Sequence, residues 1–260
     1  MKTPLLLVGA GHMGQAMLGR WQQAGFNNIS VINPSPKPMP AGVKFYQTIE
    51  AAPGAGFDTI IFAIKPQKAA ESIPAYAKFK NALFISILAG TSLAQLEGWL
   101  GKETKIIRAM PNLPAQIGQG ITALYAAPKI KKAERDMAGQ IFAPLGAVSW
   151  MEQEEQMNIA TALSGSGSAY VFLFMEALHQ AAIKEGLPSL LAKELIQQTV
   201  IGSAMLADKN KDWAALAGQV TSKGGTTEAA LHILQQDNAF AELLHRAVAA
   251  AHDRAKKLAE

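Results

Sequence analysis

The chain has 260 residues and no cysteine, which excludes disulfides, thiolate nucleophiles and cysteine-ligated metals. Hydrophobic residues make up 49% and charged residues 17%, the balance of a globular protein rather than of a disordered or membrane protein. The formal net charge of +4 comes from scattered lysines, so we expect no nucleic-acid partner.

The amino-terminal part, up to about residue 150, alternates short apolar runs with helical stretches, as is typical of a parallel sheet buried on both faces. Strands are predicted at residues 5–8, 29–32, 59–64, 83–88 and 105–107. Between the first two strands, Met13, Met17 and Trp21 recur at helical spacing, and Gly25 is placed to stop that helix. This is a strand, helix, strand unit.

The carboxy-terminal part shows only helical patterns, including an apolar stripe from Phe240 to Leu258. We predict an α/β fold in which a Rossmann-type doubly wound domain, residues 1–153, precedes an all-helical domain, residues 154–260. So many apolar helices in a short segment suggest that a partner subunit covers them. The sequence has no uninterrupted run of about 18 apolar residues, and its first residues show no small-residue cleavage site, so we expect a cytoplasmic protein that does not enter a membrane.

Gly9, Gly11 and Gly14 form the pattern G-x-G-x-x-G directly after the first predicted strand. Gly9 permits a tight turn, Gly11 lets the backbone approach a pyrophosphate, and Gly14 lets helix and strand pack closely. The pattern indicates a dinucleotide site, with an ordinary strand-to-helix turn as the alternative. We count His12 and Met13, within the same loop, among the residues that contact the cofactor.

The second predicted strand ends about 20 residues after these glycines, where NAD enzymes usually hold the ribose with Asp or Glu. No carboxylate is present there. The turn instead offers Asn33, Ser35 and Lys37, whose polar groups suit a 2′-phosphate. NADPH is therefore favoured, with NADH as the alternative, because a proline-rich polar turn would have the same composition.

Ala63, Lys65 and Pro66 stand at the end of the third predicted strand, at the edge where open α/β sheets bind ligands. We expect them to lie near the cofactor, although a solvated lysine would fit the same spacing. Arg108 follows another strand and is equally well explained as a structural ion pair. The five histidines show no metal-ligand spacing, so we predict no metal.

Two polar or small-residue stretches stand out in the second half of the chain. In residues 220–231 a polar loop enters a helix: Gly224 and Gly225 can take positive φ and turn N–H groups toward a carboxylate, while Thr226 or Thr227 caps the helix. We interpret this loop as an anion-binding site, with a plain helix cap as the alternative. Residues 161–170 place small side chains at the start of a long helix, where another helix or a nicotinamide can come close.

Taken in order, these motifs resemble the pyrroline-5-carboxylate reductase family over nearly the whole chain. The matching segments are G-A-G-H-M-G at residues 9–14, K-P-Q at 65–67, A-G-T at 89–91, R-A-M-P-N at 108–112, S-G-S-G-S-A-Y at 164–170 and S-K-G-G-T-T at 222–227. The resemblance implies NADPH-dependent reduction of 1-pyrroline-5-carboxylate to L-proline. It also implies a homodimer or higher homo-oligomer in which a loop of one subunit completes the active site of another.

By the same resemblance, the loop at residues 222–227 holds the substrate. The substrate-binding residues would be Ser222, Gly224, Gly225, Thr226 and Thr227. Thr227 would be the catalytic residue, hydrogen-bonded to the ring nitrogen, while the loop N–H groups hold the carboxylate.

Three positions depart from the family pattern: Leu113 where Thr is common, and Ser168 and Lys223 where Pro is usual. Lys223 frees φ, restores an N–H and brings a cation to the carboxylate seat, so a related cyclic imine acid stays open as the substrate. A β-hydroxyacid dehydrogenase would need lysine and asparagine where this chain has Val171 and Phe174. A regulatory protein that binds NADPH without turnover is the remaining alternative.

Overall fold

The computed structural model describes residues 4–54 and 56–259. Within them, eight strands form a single sheet. The strands are β1 (Leu5–Val8), β2 (Ile29–Ile32), β3 (Lys44–Tyr46), β4 (Thr59–Phe62), β5 (Leu83–Ser86), β6 (Lys105–Met110), β7 (Gly120–Ala126) and β8 (Gly146–Trp150). The helices that alternate with these strands are α1 (His12–Gln23), α2 (Ala69–Ser72), α3 (Leu93–Leu100) and α4 (Lys132–Phe142).

The sheet has the order β3-β2-β1-β4-β5-β6-β7-β8. Neighbouring strands from β3 to β6 pair in parallel, β7 runs antiparallel to β6, and β8 is parallel to β7. The first six strands follow the doubly wound order in which the chain changes direction between β1 and β4, and ligands of such sheets bind at that point. The predicted fold class is confirmed.

The central strands are largely apolar because both faces of the sheet are covered. Every residue of β1, β2, β4 and β5 is buried, and their apolar side chains belong to one large core. Trp21 on α1 joins this core, and its indole N–H donates to the Ile141 carbonyl at 2.7 Å. The helix α1 stops as predicted, since the Gly25 and Phe26 N–H groups bond back to the Gln22 and Trp21 carbonyls.

Strand ends and edge strands differ from the predictions. The strands β4 and β5 end two residues earlier than predicted, because the apolar residues that follow, such as Ala63 and Ile87, still pack on the core as loop residues. The strand β6 continues to Met110. The strands β3, β7 and β8 were not predicted, since β3 has three residues and is partly exposed, and β8 is only half-buried.

The carboxy-terminal part is helical, as predicted. Its helices are α5 (Gln156–Ala160), α6 (Gly167–Lys184), α7 (Ser189–Lys209), α8 (Trp213–Gln219), α9 (Thr226–Gln235) and α10 (Ala239–Ala259), with a π-helical turn at Thr161–Gly165. The chain divides into two compact units: one holds the described residues up to Ser166 and those from Ala250 onwards, and the other is Gly167–Ala249. No helix in the described part of the chain is both long and apolar enough to cross a membrane.

The second unit exposes much of its apolar surface. Within Gly167–Ala249, Ala192 is the only buried residue, whereas Leu173, Leu190 and Trp213 are 69%, 83% and 70% exposed. So many exposed apolar side chains are typical of a region that another protein chain covers.

Candidate active site

The predicted cofactor residues Gly9, Asn33 and Ala63 directly follow three adjacent strands. In the sheet, Val8 at the end of β1 is in register with Ile32 of β2 and Phe62 of β4. The Gly9 N–H donates to the Ile32 carbonyl at 2.8 Å, and the Ala63 N–H donates to the Val8 carbonyl at 2.7 Å. The three loops therefore begin side by side at the carboxyl edge of the sheet, at the point where the strand order reverses.

At two of the three motif glycines, the surrounding main chain leaves no room for a side chain. Gly9 has a φ of +100°, and a Cβ there would lie 2.5 Å from the Ala63 carbonyl oxygen. A Cβ on Gly14 would lie 2.5 Å from the Gly9 carbonyl oxygen. Side chains at either position would collide with main-chain atoms that cannot easily move.

Gly11 is different, because among the described residues no atom beyond Gly11 and its two chain neighbours lies within 4 Å of the place where its Cβ would stand. Its backbone is extended, with φ −71° and ψ −169°, a conformation that any residue can adopt. Packing within the chain therefore does not explain a glycine here. Open space beside the backbone is what the approach of a pyrophosphate requires.

The helix α1 presents its amino end at this open space. Gly11 is its N-cap, no side chain caps the helix, and the first turn holds no acidic residue. The first helical bond runs from the Gln15 N–H to the Gly11 carbonyl at 2.9 Å, so the N–H groups before Gln15 have no partner within the helix. Free N–H groups and the positive end of the helix dipole together suit a phosphate.

Asn33 ties the glycine loop to the turn after β2. Its Oδ1 accepts the Ala10 N–H at 3.0 Å, and its Nδ2 donates to the Ser35 carbonyl at 2.6 Å. These bonds use the carboxamide within the protein and leave its second amide hydrogen for a ligand. Ser35 and Lys37 are exposed in the same turn. The structure thus gives Asn33 a positioning role that the sequence pattern did not reveal.

Lys65 and Pro66 follow β4, so they lie at the same edge of the sheet. Lys65 is exposed and precedes a single 3-10 turn, Pro66–Lys68, which the Lys68 N–H closes by donating to the Lys65 carbonyl at 2.9 Å. The side chain of Lys65 is thus presented to solvent beside the predicted cofactor loops.

Arg108 forms a structural ion pair, the interpretation that the sequence analysis offered. Its side chain is 4% exposed, and its Nη1 lies 2.8 Å from Glu154 Oε1. The same carboxylate oxygen accepts the Leu93 N–H, at the start of α3, at 2.7 Å. Glu154 therefore joins β6, α3 and the segment that leads into the helical part. Nothing in the local sequence around Glu154 marks this role.

The small-residue stretch at residues 161–170 begins with the π-helical turn Thr161–Gly165. The Thr161 hydroxyl donates to the Met157 carbonyl at 2.7 Å, and the Ser166 N–H donates to the Thr161 carbonyl at 2.9 Å. The Ser164 hydroxyl is buried and has no hydrogen-bond partner among the described residues. Short π-helical turns occur frequently at functional sites.

The loop at residues 222–227 leads directly into α9. Gly224 has a φ of +73°, as predicted, but Gly225 has a φ of −85° and is the N-cap of α9. Our predictions of a positive φ at Gly225 and of a threonine cap are therefore wrong, because the extended Gly225 is the residue at which the helix begins. The hydroxyls of Thr226 and Thr227 are left free of a capping role.

Comparison with known proteins assigns the family. Residues 154–258 match the family described as pyrroline-5-carboxylate reductase dimerisation, and residues 5–90 match NADP oxidoreductase, coenzyme F420-dependent. A Pseudomonas aeruginosa protein named pyrroline-5-carboxylate reductase is 36% identical, and the match covers 100% of this chain and 98% of that protein. The chain belongs to the pyrroline-5-carboxylate reductase family. The resemblance predicted from the motifs is thereby confirmed.

Solved structures of pyrroline-5-carboxylate reductases share the whole fold. The Coxiella burnetii reductase is 33% identical with a TM-score of 0.91, and the match covers 100% of both chains. The Plasmodium falciparum pyrroline carboxylate reductase, solved with NADP bound, is 30% identical with a TM-score of 0.90, covering 99% of this chain and 98% of its own.

Proposed function

We propose that this protein is an oxidoreductase that reduces 1-pyrroline-5-carboxylate to L-proline with NADPH, the last step of proline biosynthesis. The observation that carries the proposal is membership of the reductase family over the full length of the chain. Two local features support it: the open glycine loop at the amino end of α1, and the glycine-threonine loop that enters α9.

NADPH suits the turn after β2. The turn contains no Asp or Glu that would repel a 2′-phosphate. Ser35 and Lys37 instead offer a hydroxyl and an ammonium group to it. The Plasmodium falciparum relative was solved with NADP. When bound, NADPH would supply the hydride that the C=N carbon accepts.

The Lys37→Ala variant provides a test of this cofactor preference. Because the lysine contacts only the 2′-phosphate in our proposal, its loss should raise KM for NADPH by about tenfold and leave KM for NADH unchanged. Lys80→Ala, which removes an exposed lysine just before β5, serves as the control. An equal rise in both KM values would show that Lys37 does not recognise the 2′-phosphate that distinguishes NADPH from NADH.

The chain's own part in the reaction is to hold and orient the imine acid. We assign the substrate carboxylate to the main-chain N–H groups at the start of α9, and the ring nitrogen to the Thr227 hydroxyl. The protonated imine N–H donates to the Thr227 hydroxyl oxygen, which favours the protonated, electrophilic form of the imine. After hydride transfer the neutral amine takes up one proton from water. Orientation and electrostatics then carry the catalysis, so a strong side-chain acid is not required.

The assembly and the boundaries of the domains are also proposals. The match to the dimerisation family and the exposed apolar helices of the second unit support a homodimer or larger homo-oligomer. We infer that the substrate loop of one subunit serves the cofactor of another, that the domains are residues 1–153 and 154–260, and that the protein is cytoplasmic.

Turnover by the purified protein tests the function. With NADPH and 1-pyrroline-5-carboxylate we expect NADPH to be consumed and an equal amount of proline to form. A protein that binds NADPH but turns over no imine would instead be a regulatory member of the family. Parallel assays with 1-pyrroline-2-carboxylate and piperideine acids would show whether Lys223 has changed the substrate.

A further inference from the structure

One N–H group of the proposed substrate loop is already bound by a carboxylate of the chain. The Gly224 N–H donates to Glu228 Oε2 at 2.6 Å. Glu228 is the third residue of α9, after Thr226 and Thr227. A glutamate at this position commonly reaches back to the N–H of the N-cap residue, but here it reaches one residue further, past the Gly225 cap. The substrate therefore cannot use the Gly224 N–H while this bond is in place.

Packing does not hold Gly224 in its conformation. In the described part of the chain, no atom beyond Gly224 and its two chain neighbours lies within 4 Å of the place where its Cβ would stand, and its φ of +73° is one that glycine enters and leaves freely. By contrast, Gly225 is restrained: its N–H donates to the Ser222 carbonyl at 3.0 Å, and a Cβ on it would lie 2.5 Å from Ser222 Oγ. The Gly225 bond closes the turn that spans Lys223 and Gly224, and the bond to Glu228 holds the N–H of the central peptide of that turn, between Lys223 and Gly224.

The fixed loop leaves a defined set of donors for the substrate. The first helical bond of α9 runs from the Ala229 N–H to the Gly225 carbonyl at 3.2 Å, so the N–H groups of Thr226 and Thr227 have no partner within the helix. These N–H groups lie at the amino end of α9, which is the positive end of its helix dipole. The Glu228 carboxylate also places a negative charge near the seat, which opposes the binding of an acid.

We propose that Glu228 is a positioning residue that orders the substrate loop, so that the Thr226 and Thr227 N–H groups meet the substrate carboxylate. This inference rests on the proposed function and deepens it. The ordering of the loop outweighs the repulsion by the Glu228 charge. A glutamine side chain in place of Glu228 keeps the acceptor oxygen without the charge. It should therefore support substrate binding at least as well as glutamate.

Kinetics of Glu228→Ala and Glu228→Gln separate ordering from charge. We expect Glu228→Ala to raise KM for 1-pyrroline-5-carboxylate by about tenfold, because the loop must be ordered on binding, with KM for NADPH unchanged. Glu228→Gln should match or fall below the wild-type KM. The control is Glu242→Ala, which removes an exposed glutamate from the first turn of α10. An unchanged KM in Glu228→Ala, or a Glu228→Gln variant as impaired as Glu228→Ala, would overturn the inference.

Trypsin gives a second readout that does not depend on activity, because Lys223 is exposed immediately before Gly224. Cleavage after Lys223 should be severalfold faster in Glu228→Ala than in wild type and unchanged in Glu228→Gln. Cleavage after the exposed Lys211, between α7 and α8, serves as the internal reference. Equal rates after Lys223 in all three proteins would disprove the ordering role.

If the wild type reduced no imine, the proposed function would fail, and the cleavage rates alone would decide whether Glu228 orders the loop.

Discussion

We expect the Gly11→Val variant to lose NADPH binding while it keeps its fold. Among the described residues, a Cβ on Gly11 would have no neighbour within 4 Å beyond the adjacent residues, so we expect room for a valine side chain, and the extended backbone suits valine. A bound pyrophosphate would meet the two added methyl groups. We expect Kd for NADPH to rise by about 100-fold, roughly 2.7 kcal/mol, and the poorer N-cap to lower the free energy of unfolding by only about 1 kcal/mol.

Two other glycines provide the comparison for Gly11→Val. Gly9→Ala adds a single carbon, but at a φ of +100° and 2.5 Å from the Ala63 carbonyl, so its free energy of unfolding should fall by about 3 kcal/mol. Gly19→Ala, inside α1 and facing open space, should keep NADPH binding and gain about 0.5–1 kcal/mol in stability. Denaturant titrations and NADPH fluorescence measure both quantities. Wild-type NADPH affinity in Gly11→Val would disprove the proposed pyrophosphate seat.

The second large effect is expected for Thr227→Ala. Its hydroxyl is not used to cap α9, and we assign it to the ring nitrogen of the substrate. Removal of that hydrogen bond should lower kcat/KM for 1-pyrroline-5-carboxylate by about 100-fold, roughly 2.7 kcal/mol of transition-state stabilisation. The Kd for NADPH should stay nearly the same, because Thr227 does not contact the cofactor in this account.

Serine at the same position and a nearby threonine serve as controls. Thr227→Ser keeps the hydroxyl and should retain most of kcat/KM. Thr221→Val removes a hydroxyl that donates to the Ala217 carbonyl at 2.7 Å within the preceding helical turn, and should leave kcat/KM unchanged. If Thr227→Ala had wild-type kinetics, Thr227 would have no part in the mechanism.

The features that the sequence predicted correctly are determined by residues that lie close together in the sequence. The buried strands β1, β2, β4 and β5 are largely apolar runs, and the glycine loop follows β1 directly. The steric needs of Gly9 and Gly14 also arise within a turn whose shape the motif prescribes. The loop at residues 222–227 and the helix α9 that follows it could be predicted because they form one contiguous segment of sequence.

The features that the sequence did not predict are set by contacts between distant segments or by competing local bonds. Asn33 bonds to Ala10, 23 residues away, and Arg108 pairs with Glu154, 46 residues away. No pattern in either segment specifies such a partner. At α9, threonine and glycine both make good N-caps, and the sequence does not show that Glu228 would reach Gly224. The choice between them depends on the three-dimensional path of the loop.

Transfer of deuterium from labelled NADPH tests the central claim most directly. The protein is given 1-pyrroline-5-carboxylate and NADPH that carries deuterium at both positions on C4 of the nicotinamide, and the product is examined by mass spectrometry and NMR. Our account predicts proline with one deuterium on the ring carbon that was double-bonded to nitrogen. Absence of proline, or proline without deuterium at that carbon, would contradict it.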